Sequence, residues 1–87
     1  MYVIVVYDVA SENNRGIRTF LRRYLNHVQN SVFEGDISSS DYKVLKSELS
    51  DLVSADEKCL VYQFDSEDYM ERVTYGDNGS LDDNNIL

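Results

Sequence analysis

The chain has 87 residues, of which 43% are apolar, and this predicts one small domain with a single modest core. Sixteen acidic residues against eight basic ones give a net charge of −8, which by default argues against a nucleic-acid-binding protein. Because no apolar run is long enough to span a membrane and no signal peptide is evident, we expect a cytoplasmic protein.

Positive charge is scarce in this chain and is concentrated in one place. Four of the five arginines, Arg15, Arg18, Arg22 and Arg23, fall within nine residues, and only three lysines occur in the whole chain. An acidic, lysine-poor surface is expected of a protein from a high-salt cytoplasm, where hydrated carboxylates keep it soluble. The composition therefore supports the hypothesis of a halophilic source.

The first predicted element is a strand formed by the unbroken apolar run Tyr2–Val6, followed by Tyr7 and Asp8. Val and Ile favour extended structure, and a continuous apolar run is typical of a central strand covered on both faces. A carboxylate at the end of such a strand has a rigid support and reaches solvent, which suits a metal ligand or a general base. The alternative is that Asp8 only begins the next turn, and this stretch alone favours that alternative.

A helix is predicted from about Asn14 to Leu25, because apolar residues recur there at helical spacing. Arg15, Arg18 and Arg22 share the opposite face, where three guanidinium groups in a row would suit phosphate groups. The alternative is an ordinary solvated face. The concentration of scarce positive charge near Asp8 favours phosphate binding.

The segment His27–Ile37 is β-like and long enough for two short strands joined by a tight bend. We place the bend near Asn30 and Ser31, with the stretch 34–36 as the alternative. His27 is the only histidine, and no residue near it in the sequence completes a catalytic pair.

The second half of the chain predicts one more helix and one more core strand. Ser38 and Asp41 have the spacing of a capping box, which predicts that a helix begins there. The last core strand is Lys58–Phe64, in which the single Cys59 is expected to be a small buried apolar residue.

The residues after this strand are acidic and differ in composition from the rest of the chain. One β-like stretch, Arg72–Tyr75, could pair with an exposed sheet edge of this chain or of a partner. We therefore expect a domain over residues 1–76 and a flexible acidic C-terminal tail over residues 77–87.

The order strand, helix, strand, strand, helix, strand predicts an α+β fold of the ferredoxin-like βαββαβ type, with two helices on one face of an antiparallel sheet and a short C-terminal strand in addition. The competing plan is half of a parallel doubly wound sheet, but the middle β segment runs on without a crossover helix. A sheet with one bare face conflicts with a first strand that is apolar throughout. A homodimer that covers the bare face would resolve this conflict.

A homodimer would also complete a metal site. One carboxylate is a poor site for Mg²⁺, which usually takes one or two carboxylates and keeps waters and phosphate oxygens as its other ligands. A two-fold axis near Asp8 would bring two copies of this carboxylate to one ion. Such an ion could activate a water and neutralise charge on a phosphodiester, and the arginines would grip the backbone on either side.

Three features together resemble the second CRISPR-associated protein family. They are the opening strand that ends in Tyr7-Asp8, the arginine-rich helix and the block Val28-Gln29-Asn30-Ser31-Val32-Phe33-Glu34-Gly35. This family is the small subunit of the spacer-acquisition machinery, and the resemblance covers about residues 1–76. It implies a ferredoxin-like homodimer and, in at least some members, metal-dependent cleavage of RNA or double-stranded DNA. It also implies that the dimer bridges copies of the larger integrase subunit and supports the spacer DNA.

By position, the resemblance implies that Asp8 is the catalytic, metal-binding aspartate and that Tyr7 is its neighbour in the motif. Arg15 and Arg18 fall in the family's basic segment, and Ser31 and Phe33 match the second motif. The chain departs from the pattern at His27, where relatives often have arginine, and in its acidic balance. Both departures argue against strong nucleic-acid affinity at ordinary salt, because phosphate binding depends on positive charge.

Three functions agree with these observations. The first is an endonuclease in which Asp8 from two subunits holds Mg²⁺. The second is a non-catalytic scaffold in the same complex, which binds duplex DNA and the integrase. The third is a ribonuclease toxin of the same fold.

Overall fold

The computed structural model describes residues 1–76, which form a four-stranded sheet with two helices packed on one face. The elements are β1 (Tyr2–Asp8), α1 (Ser11–Leu21), β2 (Asn26–Gln29), β3 (Val32–Asp36), α2 (Ser39–Leu52) and β4 (Lys58–Phe64). A short 3-10 turn follows at Glu67–Tyr69. The predicted βαββαβ order is therefore confirmed.

The strands lie in the order β2-β3-β1-β4, and every paired strand is antiparallel to its neighbour. This arrangement excludes the parallel doubly wound alternative. The first strand is central, as its apolar run predicts, because β1 pairs with β3 on one side and with β4 on the other. The pairing with β4 continues to the last residue of β1, where Asp8 lies opposite Lys58.

The two faces of the sheet have different surroundings. Val3, Val5 and Tyr7 point into the core, which also contains Ile17 and Leu45 from the two helices. The opposite face, which we call the open face, carries Ile4, Val6, Leu60 and Tyr62, because residues directly opposite each other on paired strands share a face. Leu60 is 41% exposed and Tyr62 is 50% exposed. Within residues 1–76, Tyr2 is buried on this face but Ile4 and Val6 are only half-buried, so the burial of β1 on both faces is incomplete there.

The first helix begins and ends earlier than predicted. It starts at Ser11 rather than near Asn14, because the amides of Asn13 and Asn14 already donate to the carbonyl of Ala10. It ends at Leu21, after which the amides of Arg23 and Tyr24 donate three residues back in a tight turn. Apolar residues continue at helical spacing through this turn, and for this reason the predicted end at Leu25 was too late.

The other boundaries agree closely with the sequence. The hairpin between β2 and β3 bends at Asn30, whose positive φ of 32° is tolerated by asparagine, and this confirms the bend near Asn30 and Ser31. The Ser38 hydroxyl accepts a hydrogen bond from the Asp41 amide at 3.1 Å and caps α2 as predicted. The bounds of β4 are those predicted.

The predicted short strand at Arg72–Tyr75 is not formed, since residues 1–76 contain no strand after β4. Arg72 instead turns onto the open face and forms an ion pair with Glu34 of β3. Glu34 is only 7% exposed and also accepts a hydrogen bond from the Tyr2 hydroxyl. A segment held over the face in this way does not run along a sheet edge. The predicted flexible tail, residues 77–87, lies outside the described residues.

Within the described part of the chain, neither helix has the length and apolar composition that crossing a membrane requires.

Candidate metal and nucleic-acid site

Asp8 lies where the sequence predicts, at the exposed end of the central strand. Its alternation with Tyr7 puts it on the side of the open face, and its strand partner Lys58 is also exposed. The ion pairs within residues 1–76 join the Met1 amine to Asp36 and Arg72 to Glu34, so the carboxylate of Asp8 is not neutralised there. An exposed, unpaired carboxylate on a rigid strand is free to bind a cation.

A single copy of this chain offers too few ligands for a metal centre. Residues 1–76 contain no group of three or more His, Cys, Asp and Glu side chains that could hold a metal ion. Asp8 is thus one carboxylate with open solvent around it. The donor type fits Mg²⁺, but the ligand number fits only if a second copy supplies another carboxylate.

Tyr7, predicted as a supporting residue, belongs to the core. It is 3% exposed, its ring stacks on Phe33 at a centroid distance of 6.2 Å, and its amide donates to the Ser31 carbonyl at 3.1 Å. The His27 ring in turn stacks on Phe33 at 4.7 Å. The motif residues Ser31 and Phe33 therefore stabilise the end of β1. Ser31 does so by a backbone hydrogen bond, and Phe33 by an aromatic stack on the core side of the sheet.

The Tyr7 hydroxyl is buried and has no hydrogen-bond partner among the described residues. Burial raises the pKa of this phenol, while the nearby guanidinium groups of Arg18 and Arg22 oppose the shift. The Nε of Arg18 and the Oδ1 of Asn14 are likewise buried without a partner in this part of the chain. These atoms lie behind the strand end, on the side opposite to Asp8.

The four clustered arginines are divided into two pairs. Arg18 and Arg22 lie near the Tyr7 hydroxyl, and Arg18 is half-buried. Arg15 and Arg23 line a groove between α1 and α2, together with Glu12 and Glu48. The two ion pairs within residues 1–76 do not involve these arginines. Binding of nucleic acid by Arg15, Arg18 and Arg22 stays a prediction.

Glu57 is a residue of this region that the sequence did not reveal. Its carboxylate accepts hydrogen bonds from the Ala10 amide at 2.7 Å, the Asn13 side chain at 2.8 Å and the Ser54 amide at 2.9 Å. The hydrogen bonds from the Ser54 and Ala10 amides lower the pKa of this carboxyl group, because they stabilise its charged form. The stretch 54–57 has turn composition, but nothing in the sequence indicated a partner 47 residues away.

The fold and the site define a class: a ferredoxin-like α+β domain with one exposed carboxylate at the end of its central strand. A family model described as "CRISPR associated protein Cas2" matches residues 1–72. The chain belongs to this family, which confirms the resemblance drawn from the sequence motifs.

Two curated relatives show how closely the chain follows the family. A protein of Archaeoglobus fulgidus named "CRISPR-associated endoribonuclease Cas2 2" is 47% identical over 77 residues, which cover 87% of this chain and 84% of the relative. A Haloferax volcanii protein named "CRISPR-associated endoribonuclease Cas2" is 36% identical, with 88% of this chain and 90% of the relative covered.

Solved structures agree with this assignment. One described as "Crystal structure of cas2" superposes with a TM-score of 0.81 at 36% identity and covers 94% of each chain. The Streptococcus pyogenes Cas2 structure at pH 6.5 has a TM-score of 0.69 at 24% identity, with 85% of this chain and all of that chain covered. The latter likeness shows the shared fold alone.

Proposed function

We propose that this protein is a metal-dependent endonuclease that cleaves phosphodiester bonds in RNA or double-stranded DNA as a homodimer. The observation that carries the proposal is Asp8, an exposed and unpaired carboxylate at the end of a rigid central strand. The names of the relatives, which include "endoribonuclease", support the reaction class. We further propose that the dimer works in spacer acquisition with the integrase subunit and bridges DNA there.

The open face supports the homodimer. Leu60 and Tyr62 of β4 are exposed there, and Tyr69 and Val73 of the following segment are exposed as well. The exposed Leu60 and Tyr62, together with Ile4 and Val6 on the same face, are typical of a surface that a partner covers. Packing of a second copy on this face would bury β1 on both sides, as its apolar composition requires.

The same dimer would supply the second carboxylate. Asp8 lies on the side of the open face, so packing of two open faces can place two copies of Asp8 near one axis. Mg²⁺ is the proposed ion, because it is commonly held by one or two carboxylates with waters and phosphate oxygens. Such an ion supplies charge neutralisation at the phosphate and lowers the pKa of a bound water.

The chain's own residues then have separate roles. Asp8 holds the ion and orients it from a strand end that Ser31 and Phe33 support from behind. Arg15 and Arg22 are exposed and can bind phosphate groups along the nucleic acid. These contacts fix the register of the nucleic-acid backbone without reading its sequence.

A non-catalytic scaffold is the second candidate, and one observation favours it. Residues 1–76 of one copy hold no ready-made group of metal ligands. In that case Asp8 would be a surface carboxylate, and the dimer would only bind DNA and the integrase.

Nuclease activity of the purified full-length protein distinguishes the two candidates. Single-stranded RNA and linear duplex DNA are incubated with and without Mg²⁺, at low and at molar salt, beside the variants Asp8→Asn and Asp51→Asn. Asp51 is an exposed acidic residue of α2 and serves as the matched control. Metal-dependent cleavage that Asp8→Asn abolishes and Asp51→Asn retains would support the nuclease. No cleavage in any condition by a folded dimer would favour the scaffold.

Mixed dimers test whether two copies share one ion. Asp8→Asn chains are combined with tagged wild-type chains, and the heterodimer is isolated. If each ion needs both carboxylates, the heterodimer has close to no activity. Half of the wild-type activity would show that each copy binds its own ion.

A further inference from the structure

We propose that Glu57 is a positioning residue for Asp8. It is not a metal ligand and does not touch the nucleic acid; its carboxylate fixes the backbone that follows Asp8. The inference rests on the proposed nuclease function and assigns a residue that acts through the same site. It is carried by the hydrogen bonds of Glu57 and by its place in the sheet.

Covalent bonds of the backbone and hydrogen bonds together form a closed ring around the end of β1. Asp8 pairs with Lys58 in the ladder between β1 and β4. Lys58 is joined covalently to Glu57, and Glu57 accepts the amide hydrogen of Ala10 at 2.7 Å. Ala10 is joined back to Asp8 through Val9. The backbone on both sides of Asp8 is thus held, once by the strand pairing and once by a carboxylate.

The hydrogen bonds of Glu57 compensate for the lack of a capping side chain at the start of α1. Ala10 is the N-cap residue of α1 and has no side chain that could accept a hydrogen bond from the first turn. Without Glu57, the Ala10 amide would lose this hydrogen bond, and the turn between β1 and α1 would be held by its own backbone, by the packing of Val9 on the core and by the hydrogen bond from Asn13 to Leu52. A turn that is free to shift would move Asp8, because only Val9 separates Asp8 from Ala10.

The same carboxylate also fixes the helix and the opposite loop. The Asn13 side chain donates to Glu57 at 2.8 Å and to the Leu52 carbonyl at 2.9 Å, which joins the first turn of α1 to the end of α2. The Ser54 amide donates to Glu57 at 2.9 Å and holds the loop before β4. One carboxylate therefore joins three segments behind the candidate metal ligand.

Glu57→Gln is the informative substitution. Glutamine has the same size, but it replaces one acceptor oxygen with an NH₂ donor, which would face donors of Ala10, Asn13 or Ser54. We expect kcat to fall about 10-fold, the lower end of the range for groups that hydrogen-bond to a metal ligand directly, because Glu57 acts on Asp8 only through the backbone. Mn²⁺ replaces Mg²⁺ as the probe ion in these assays. Its concentration for half-maximal activity should rise, and KM for nucleic acid should change little.

Two comparisons separate positioning from a purely structural role. Glu12→Gln makes the same chemical change at an exposed residue nearby and should behave as wild type, because the one side-chain hydrogen bond of Glu12 within residues 1–76 is from the Ser11 hydroxyl, at 3.4 Å. Asn13→Ala removes one donor to Glu57 but leaves the bond to Ala10, so its effect on kcat should be smaller than that of Glu57→Gln. If Glu57 has only a structural role, the unfolding midpoint of Glu57→Gln falls, while the protein that is still folded keeps the wild-type kcat and the wild-type dependence of activity on the metal ion.

Binding of Mn²⁺ by calorimetry and amide hydrogen exchange at Ala10 give readouts that do not depend on turnover. Glu57→Gln should weaken Mn²⁺ binding and speed exchange at Ala10. Wild-type kcat and Mn²⁺ affinity in a folded Glu57→Gln dimer would overturn the positioning role while leaving the nuclease proposal intact. A wild-type protein that neither binds Mn²⁺ nor cleaves would overturn the nuclease proposal and this inference with it.

Discussion

Tyr7 and Asp8 are consecutive residues that lie on opposite faces of the sheet. The Tyr7 ring is buried in the core against Phe33, whereas the Asp8 carboxylate is exposed at the strand end on the other side. The alternation of side chains along a strand makes this separation unavoidable. The two halves of one sequence motif therefore have different physical roles: one anchors the strand and the other meets the solvent.

Tyr7→Phe should leave both stability and activity nearly unchanged. The Tyr7 hydroxyl is buried with no partner among the described residues, so the substitution removes a polar group whose burial is uncompensated. We expect the free energy of unfolding to stay within about 1 kcal/mol of wild type, or to rise slightly. Urea unfolding and the nuclease assay check this.

The matched control for this prediction is Phe33→Ala, which removes the ring on which Tyr7 stacks. Phe33 is completely buried, so its truncation should cost about 3–5 kcal/mol. A large loss of activity in a stable Tyr7→Phe protein would contradict the core role and would place the hydroxyl in the reaction.

Arg72→Ala should destabilise the protein strongly, although Arg72 itself is partly exposed. The substitution leaves the buried Glu34 carboxylate without its cation, and because Arg72 is partly exposed and Glu34 keeps the Tyr2 hydroxyl, the loss should be about 3 kcal/mol, the lower end for a buried ion pair. Asp36→Ala breaks the exposed pair with the Met1 amine and should cost only about 0–1 kcal/mol. Thermal unfolding of the two variants side by side measures the difference. Equal losses would show that Arg72 does not neutralise Glu34.

Tyr2 should make stability fall at alkaline pH. Burial and the hydrogen bond to Glu34 raise the pKa of the Tyr2 phenol well above its usual value of 10.0. A raised pKa in the folded state means that the stabilising contribution is complete below pH 10 and is lost progressively as the pH rises above it.

Two measurements check this alkaline transition. Absorbance near 295 nm should show that Tyr2 and the buried Tyr7, whose phenol pKa is also raised, ionise later than the exposed tyrosines. Tyr2→Phe should flatten the decline of the unfolding midpoint above pH 10. An unchanged alkaline profile in Tyr2→Phe would assign the transition to another group.

Tyr62→Glu should convert the proposed homodimer to a monomer. Tyr62 lies at the centre of β4 on the open face and is half exposed in the single chain, so a charge there leaves the monomer fold intact but opposes burial against a second copy. Sedimentation should show the mass of one chain, and Mn²⁺ affinity should fall if two copies of Asp8 share the ion. Lys43→Glu, at an exposed position of α2, is the control that should stay dimeric. A dimeric Tyr62→Glu protein would show that the copies associate through another surface.

The sequence predicted the elements better than it predicted the contacts between them. The order of elements, the capping by Ser38 and the bend at Asn30 depend on local residue types, and all three are confirmed. The early end of α1 was missed because apolar spacing does not distinguish a last helical turn from a tight turn that follows it. Arg72 and Glu57 were missed for a different reason. Their partners, Glu34 and Ala10, lie 38 and 47 residues away, and no local pattern encodes such a distance.

Salt should stabilise this protein more than it stabilises an ordinary domain of the same size. With a net charge of −8, the folded chain repels itself. Exposed charges interact over about 10 Å in 0.1 M salt but over only about 3 Å in 1 M salt, so added salt weakens this repulsion. We expect the unfolding midpoint to rise between 0.1 and 3 M KCl. The double variant Asp51→Lys with Asp56→Lys changes two exposed positions, brings the net charge to −4 and should make the unfolding midpoint depend less on KCl.

The same salt series should weaken binding to nucleic acid, because phosphate contacts depend on release of counterions. If the midpoint does not depend on KCl in either protein, the acidic surface is not an adaptation to salt.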